Sequence, residues 1–269
     1  MAQSLTARGT ATVALLVLAQ SDGEAVSARQ TIEALSHGCP VHGIVVAADQ
    51  ARPDRLRALI QGLARGDLPL VLWRPTGLPA ADDPSLAWVE HLVVDSRTGT
   101  ALPALVEITG RLPVTDLAWI DLAQGRELVA ALFQGPDFGP FLGAVRHVRV
   151  QGDESFRRLL VGWLLGRLRI LPSAVEVRAS EHASIEITAE HDGRRAHFSV
   201  VWSADPALID ARAVVGGGPS QVRRVHPADP STTRLLARAL LRLHRDPFYT
   251  EALTAALTLR SGPGPGSPT

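Results

Sequence analysis

From Thr12 the chain reads TVALLVL, an unbroken apolar run rich in β-branched residues, the pattern of a strand buried on both faces. Three more runs follow at Gly43–Ala48 (GIVVAA), Leu68–Trp73 (LPLVLW) and Glu90–Val94 (EHLVV). Helical stretches are predicted between them. Ala25–Leu35 reads as a helix closed by His37-Gly38 with Pro40 beyond. Pro53–Leu63 carries Leu56, Leu59, Ile60 and Leu63 at helical spacing, with Pro53 suited to the first helical position and Gly66 past the end. Leu102–Ile108 completes the series. Repeated strand–helix pairing implies a parallel sheet with helices on its faces.

Beyond Gly110 and Pro113 the order changes. Leu122–Phe133 and Ser155–Leu168 read as helices, followed by a β-meander of Ala174–Val177, Ser184–Ala189 and Ala196–Trp202. Ile185 and Ile187 alternate with polar residues, as do Phe198 and Val200, and the intervening His191-Asp192-Gly193 is a hairpin signal. Asp229-Pro230 and Asp246-Pro247 each fit a helix N-cap followed by proline, ahead of helices over Leu235–Leu243 and Phe248–Leu257. The expected architecture is an N-terminal α/β, Rossmann-like domain over 1–110 and an α+β domain with an antiparallel meander and helices over 111–260. The remaining 261–269, SGPGPGSPT, is a tail that cannot pack and is expected to be disordered.

Composition narrows the function more than the fold. With 46% hydrophobic and 20% charged residues among 269, there is apolar material for two cores. The formal net charge is zero, without the basic excess expected of a protein that grips nucleic acid or an anionic membrane. The sequence has no lysine, which removes lysine Schiff bases, P-loop lysines and lysine general bases. One cysteine, Cys39, excludes an internal disulfide and the multi-cysteine zinc patterns. The longest apolar run, Val13–Ala19, is far short of a bilayer span, and Met1–Thr10 is too short and polar for a secretory signal, so a cytoplasmic protein is expected.

Each candidate for catalysis has a plainer reading beside it. The first strand–helix turn, Gln20-Ser21-Asp22-Gly23-Glu24, offers one glycine where a dinucleotide fingerprint needs three, and acids where a pyrophosphate would lie. Gly216-Gly217-Gly218 is either an anion nest or a loop after the meander, with the loop favoured. His182, His191 and His197 fall around the hairpin, where strand alternation sends neighbours to opposite faces. Cys39 has His37 nearby as a base but reads better as a structural residue. No Gly-x-Ser-x-Gly elbow is present, and neither a catalytic nor a cofactor or metal constellation can be assembled.

Two stretches resist a bland reading. The strand Leu68–Trp73 ends in Trp73-Arg74-Pro75, and LPVTDLAW over Leu112–Trp119 is followed by Gly125-Arg126-Glu127-Leu128. Tryptophan and arginine at a strand's carboxyl end fit a binding surface, and both are enriched among interface hot spots. The alternative is that Trp73 and Trp119 pack between the two expected domains, with Arg126 satisfying a carboxylate there. The succession LPLVLWRP, HLVVDS, RLPVTDLAWIDLAQGRELVAALF, LLVGWLLGRL and DPFYTEAL resembles the glucose-6-phosphate dehydrogenase assembly protein family, OpcA, from about Thr10 to Leu257. Its most specific part is the Thr115-Asp116-Leu117-Ala118-Trp119 box; Arg74 stands where the family often has a second tryptophan.

The resemblance implies a protein that binds glucose-6-phosphate dehydrogenase and assists its assembly or activation without a cofactor of its own. Trp73, Arg74, Pro75, Thr115, Asp116, Trp119 and Arg126 are the expected partner interface. The lone Cys39 argues against the intramolecular thiol switch associated with some relatives. Two other readings remain: an enzyme of sugar-phosphate metabolism using Arg74, Asp95 and Arg97 at the carboxyl edge of the first sheet, or a small-ligand sensor in the α/β domain.

Overall fold

A computed structural model describes residues 13–19, 27–35, 39–47, 57–58, 69–99, 102–203 and 207–260. These divide into two compact units, one holding the residues up to Asp116 together with Leu236–Arg245, the other Leu117–Leu235 and those from Asp246 onward. The fold is α/β in the first and α+β in the second.

The first unit is built on a six-stranded sheet of β1 (Val13–Ala19), β2 (Ser27–Leu35), β3 (Cys39–Ala47), β4 (Leu70–Trp73), β5 (His91–Val94) and β6 (Val114–Asp116). Their order is β2-β3-β1-β4-β5-β6. Every neighbouring pair is parallel except β2 with β3. The helix expected over Ala25–Leu35 is therefore corrected to an antiparallel edge strand, running back along β3 from Leu35 opposite Cys39. Its sequence explains why: Arg29, Thr31 and Glu33 alternate with less polar residues at period two, and a neighbouring strand rewards that pattern over helix propensity. A parallel sheet closed by one antiparallel edge is a common mixed arrangement.

Strands β4 and β5 are covered on both faces, as their continuous apolar runs predict: Val71, Leu72, Leu92, Val93 and Val94 are all fully buried. Helix α1 (Leu102–Arg111) lays Leu102, Leu105 and Ile108 into the same core, a stripe at helical spacing. Of the helix expected over Pro53–Leu63 only Arg57 and Ala58 are described, and both are helical. Cys39 opens β3, and the base suggested for it, His37, lies outside the described residues, as does 261–269.

The second unit begins with α2 (Leu117–Asp121) and α3 (Ala123–Leu132), so helix starts five residues earlier than the sequence pattern suggests. Next come β7 (Val145–Gly152), α4 (Glu154–Leu168), β8 (Val175–Ala179), β9 (Ser184–His191), β10 (Arg194–Ser203), β11 (Leu208–Val215) and β12 (Ser220–Val225). They form a second six-stranded sheet, β12-β11-β10-β9-β7-β8, antiparallel except where β8 joins β7. Three of its strands, β7, β11 and β12, are not expected from the sequence. In β11 the inward positions Ala211 and Ala213 are small and favour helix, and β12 buries none of its residues. The β9–β10 turn is as expected: Asp192 (φ 49°) and Gly193 (φ 71°) take the two left-handed positions of a tight hairpin.

One face of this sheet carries Phe198, stacked on Phe133 at 4.2 Å and approached edge-on by Phe141 at 6.4 Å. The chain ends in α5 (Thr232–Leu240) and α6 (Pro247–Arg260). Asp246 caps α6 as its sequence suggests, accepting from Phe248 N at 2.9 Å and Tyr249 N at 3.2 Å. Asp229, by contrast, makes a turn with Ser231 N at 2.8 Å, and α5 starts only beyond it. Among the described residues no helix is long and apolar enough to cross a membrane.

Candidate functional site

Because β4, β5 and β6 run parallel, their carboxyl ends gather the polar residues that follow them. Trp73 ends β4, and Arg74 N continues the ladder to Val93 O at 3.1 Å. The Arg74 guanidinium pairs with Asp83, whose other carboxylate oxygen accepts from Ser85 N at 2.9 Å and Ser85 Oγ at 2.6 Å. Asp83 therefore caps the short turn Pro84–Trp88 and neutralises Arg74 at once. Trp73, Arg74 and Pro75 are half-buried; the Trp73 indole N–H is shielded from water with no acceptor among the described residues.

One strand further along, Asp95 receives Arg97 Nε at 2.8 Å, Arg97 Nη2 at 2.7 Å and Arg97 N at 3.1 Å. The two arginines expected at a sugar-phosphate site on this edge are thus each matched to a carboxylate. An incoming phosphate would have to displace a charge-assisted pair at either position.

At β6 the Thr115-Asp116 half of the box is internal. Thr115 Oγ1 shares a 2.7 Å hydrogen bond with His91 Nε2, and both residues are buried. Asp116, with no exposure at all, accepts from Ser96 N at 3.0 Å and so fixes the turn after β5. Burial, and then the neighbouring His244, lower the His91 pKa to about 4, so the ring is neutral at physiological pH.

The other half of the box belongs to α2 in the second unit. Trp119 is 4% exposed, and its Nε1 donates to Asp246 Oδ2 at 2.8 Å while Asp246 Oδ1 caps α6. Its ring lies 5.7 Å from that of Tyr249. Arg126 places its guanidinium carbon 3.3 Å from the Trp119 ring centroid and donates through Nη2 to Trp119 O at 3.1 Å. Of the seven residues expected at an interface, Thr115, Asp116 and Trp119 are thus buried, while Trp73, Arg74, Pro75 and Arg126 keep partial exposure.

The glycines of the other two motifs have a packing reason. A Cβ on Gly125 would stand 2.2 Å from the Trp202 ring, and one on Gly162 2.0 Å from Ala252 O on α6. Each marks a contact too close for a side chain. Gly216–Gly218 is the β11–β12 turn: Gly216 N donates to Arg195 O at 2.9 Å and Gly218 N to Val215 O at 3.0 Å, which engages two donors of the possible nest. His191 turns toward Phe141 on the covered side of the sheet, at 6.0 Å, whereas His197 is exposed. Among the described residues no three histidine, cysteine or acidic side chains converge as metal ligands would. Two contributors escape the sequence reading. His91 is read only as part of a strand run, and Asp246 signals only a cap; its tryptophan partner lies 127 residues away.

Fold and site define a mixed α/β protein of two units whose motif residues are spent on internal hydrogen bonds and close packing. Residues 112–253, more than half of the chain, match the family model for the C-terminal domain of a glucose-6-phosphate dehydrogenase subunit. The chain belongs to the glucose-6-phosphate dehydrogenase assembly protein (OpcA) family. No curated protein matches it. Among solved structures, the super-repressor mutant of Gal80p from Saccharomyces cerevisiae aligns over 78% of this chain and 84% of its own, with 8% identity and a TM-score of 0.38. That likeness is too slight to bear on function.

Proposed function

We propose that this protein binds glucose-6-phosphate dehydrogenase and promotes its assembly or activity, with no catalytic step of its own. The family match over residues 112–253 carries the reading. The strand ends agree with it, since Arg74 and Arg97 are committed to Asp83 and Asp95 rather than presented to a substrate. Of the seven interface residues, Trp73, Arg74, Pro75 and Arg126 are reachable and act as contacts; Thr115, Asp116 and Trp119 hold the strand end and the arginine in place.

An activator works by binding one state of the enzyme better than another. A preference of about 1.4 kcal/mol shifts that equilibrium tenfold. By linkage, a substrate or cofactor that favours the same state tightens activator binding by the same factor.

The decisive experiment assays the dehydrogenase of the same organism across substrate concentrations, with and without this protein, alongside sizing chromatography of the mixture. Co-elution with a raised rate or lowered KM is expected. Separate elution with unchanged kinetics rejects the reading, and turnover by this protein alone would replace it with the enzymatic one.

A further inference from the structure

The parallel strands of the first sheet lie in the spatial order β3-β1-β4-β5-β6. From the carboxyl end of β1 the chain goes on to β2 and β3 on one side. From that of β4 it goes on to β5 and β6 on the other. The direction of winding therefore reverses between β1 and β4. In an open α/β sheet the connections part at such a reversal and leave room for a ligand beyond the carboxyl ends. Trp73 stands at that place: it ends β4, opposite Val17 of β1 in the register, and Arg74 follows it onto the rim.

Both residues carry a donor with no recipient. Trp73 Nε1 and Arg74 Nε are shielded from water, and neither has an acceptor among the described residues. Buried N–H groups are nearly always paired, and leaving one unpaired is destabilising. The fold gains nothing from either donor. The ladder is already continued by Arg74 N to Val93 O, and the guanidinium is already anchored through Nη2 to Asp83.

The surrounding charges define the kind of group that fits. Arg74 is neutralised by Asp83 and, one strand further on, Arg97 by Asp95, so each of these cations has its own anion. Asp83 is itself fixed by Ser85 N and Ser85 Oγ. An anionic ligand would bring charge to a balanced rim that already holds two carboxylates. An uncharged oxygen acceptor meets two waiting N–H groups. The half-buried indole sets an apolar ring beside its own donor, which suits a molecule with a C–H face and hydroxyls at its margin.

We propose that the carboxyl rim of β4, at the β1–β4 reversal, binds a small uncharged sugar or polyol whose oxygens accept from Trp73 Nε1 and Arg74 Nε. The site goes beyond the function proposed above and does not depend on it. Trp73 and Arg74 are also contacts in that proposal, so occupancy bears on dehydrogenase binding, and linkage makes the effect reciprocal.

The test uses the full-length protein alone, titrated calorimetrically with glucose, ribose, inositol and glycerol, and in parallel with inorganic phosphate. At least one uncharged probe should bind saturably, and phosphate should not. Trp73→Phe, which keeps a ring and removes the donor, should weaken that binding about tenfold, the loss of one hydrogen bond. Arg74→Lys, which keeps a cation for Asp83 and removes Nε, should weaken it by a similar factor. Should Trp73→Phe fail to fold, Arg74→Lys alone carries the readout. No saturable binding by any uncharged probe overturns the site, and so does binding that both variants leave unaltered. A rim that takes inorganic phosphate instead overturns the ligand class. None of these outcomes decides dehydrogenase binding, which the mixture experiment above tests separately.

Discussion

The two six-stranded sheets solve the problem of burial in opposite ways. The first is largely parallel, its strands β4 and β5 are covered on both faces, and the polar groups that follow them gather at the strand ends. The second is largely antiparallel, with long strands that bury one face and leave the other to a lattice of ion pairs. A parallel sheet can be read by a partner only at its ends, whereas an open antiparallel sheet offers a whole face. In this protein the ends of the first sheet are occupied by their own side chains. The second sheet instead spreads its charges over an exposed face, where Arg149 and Arg224 meet carboxylates on neighbouring strands.

That contrast is most severely tested at Trp119, whose ring anchors the second unit through Asp246, Tyr249 and Arg126. Trp119→Ala should cost about 4 kcal/mol, the loss expected for a buried tryptophan, and be read as a large fall in the denaturation midpoint. A loss below about 1 kcal/mol would show that the second unit does not depend on the box. Trp119→Phe, which keeps the ring but not the donor, should fall between.

The first unit is tested next, by acid. His91 titrates at about 4 when folded against 6.5 for an ordinary histidine. Between those values the unfolded chain binds the proton first, so stability is complete above pH 6.5, declines as the pH falls, and levels off below 4. The total is about 3 kcal/mol, since each pH step between the two values contributes about 1.4 kcal/mol. Urea midpoints measured through this window should decline for the wild type and flatten in His91→Gln. An equal decline in both would locate the acid sensitivity elsewhere.

Two glycines sharpen the comparison with smaller effects of opposite sign. Gly162→Ala drives a methyl into the α6 backbone, and overpacking of this kind should cost about 2 kcal/mol. Gly110, in α1 of the first unit, has nothing within 4 Å of a would-be Cβ and no left-handed backbone. Gly110→Ala should therefore raise the melting point slightly, by about 0.5 kcal/mol of added stability. If both substitutions destabilise alike, close approach is not what retains glycine at Gly162.

Most of the first sheet is legible in the sequence because continuous apolar runs such as Leu70–Trp73 and His91–Val94 admit little besides buried strands. The edge strand β2 reads as a helix because Ala28, Ala34 and Leu35 favour helix locally, and only the presence of β3 decides otherwise. In the second unit the hairpin at Asp192-Gly193 declares itself, since its turn needs those two residues. Strand β12 does not, because it buries none of its residues, and β11 is masked by the helix-favouring alanines Ala211 and Ala213 at its inward positions; β7 shows the alternation only in the short run from Val148 to Gln151. The candidate site is legible as a set of unusual residues, but not as to use. Nothing local to Trp119 announces that its partner is a helix cap 127 residues further on.

That last arrangement bears on how the protein is made. Trp119 and Gly162 both wait on α6, through Asp246 and Ala252, and a ribosome must add 127 residues after Trp119 before its acceptor exists. The second unit cannot close its core in step with synthesis: Trp119 has no partner for its indole until Asp246 has emerged, and packing of the unit waits on that segment. A nascent chain stalled before Asp246 would leave the Trp119 indole, buried in the finished protein, open to chaperones.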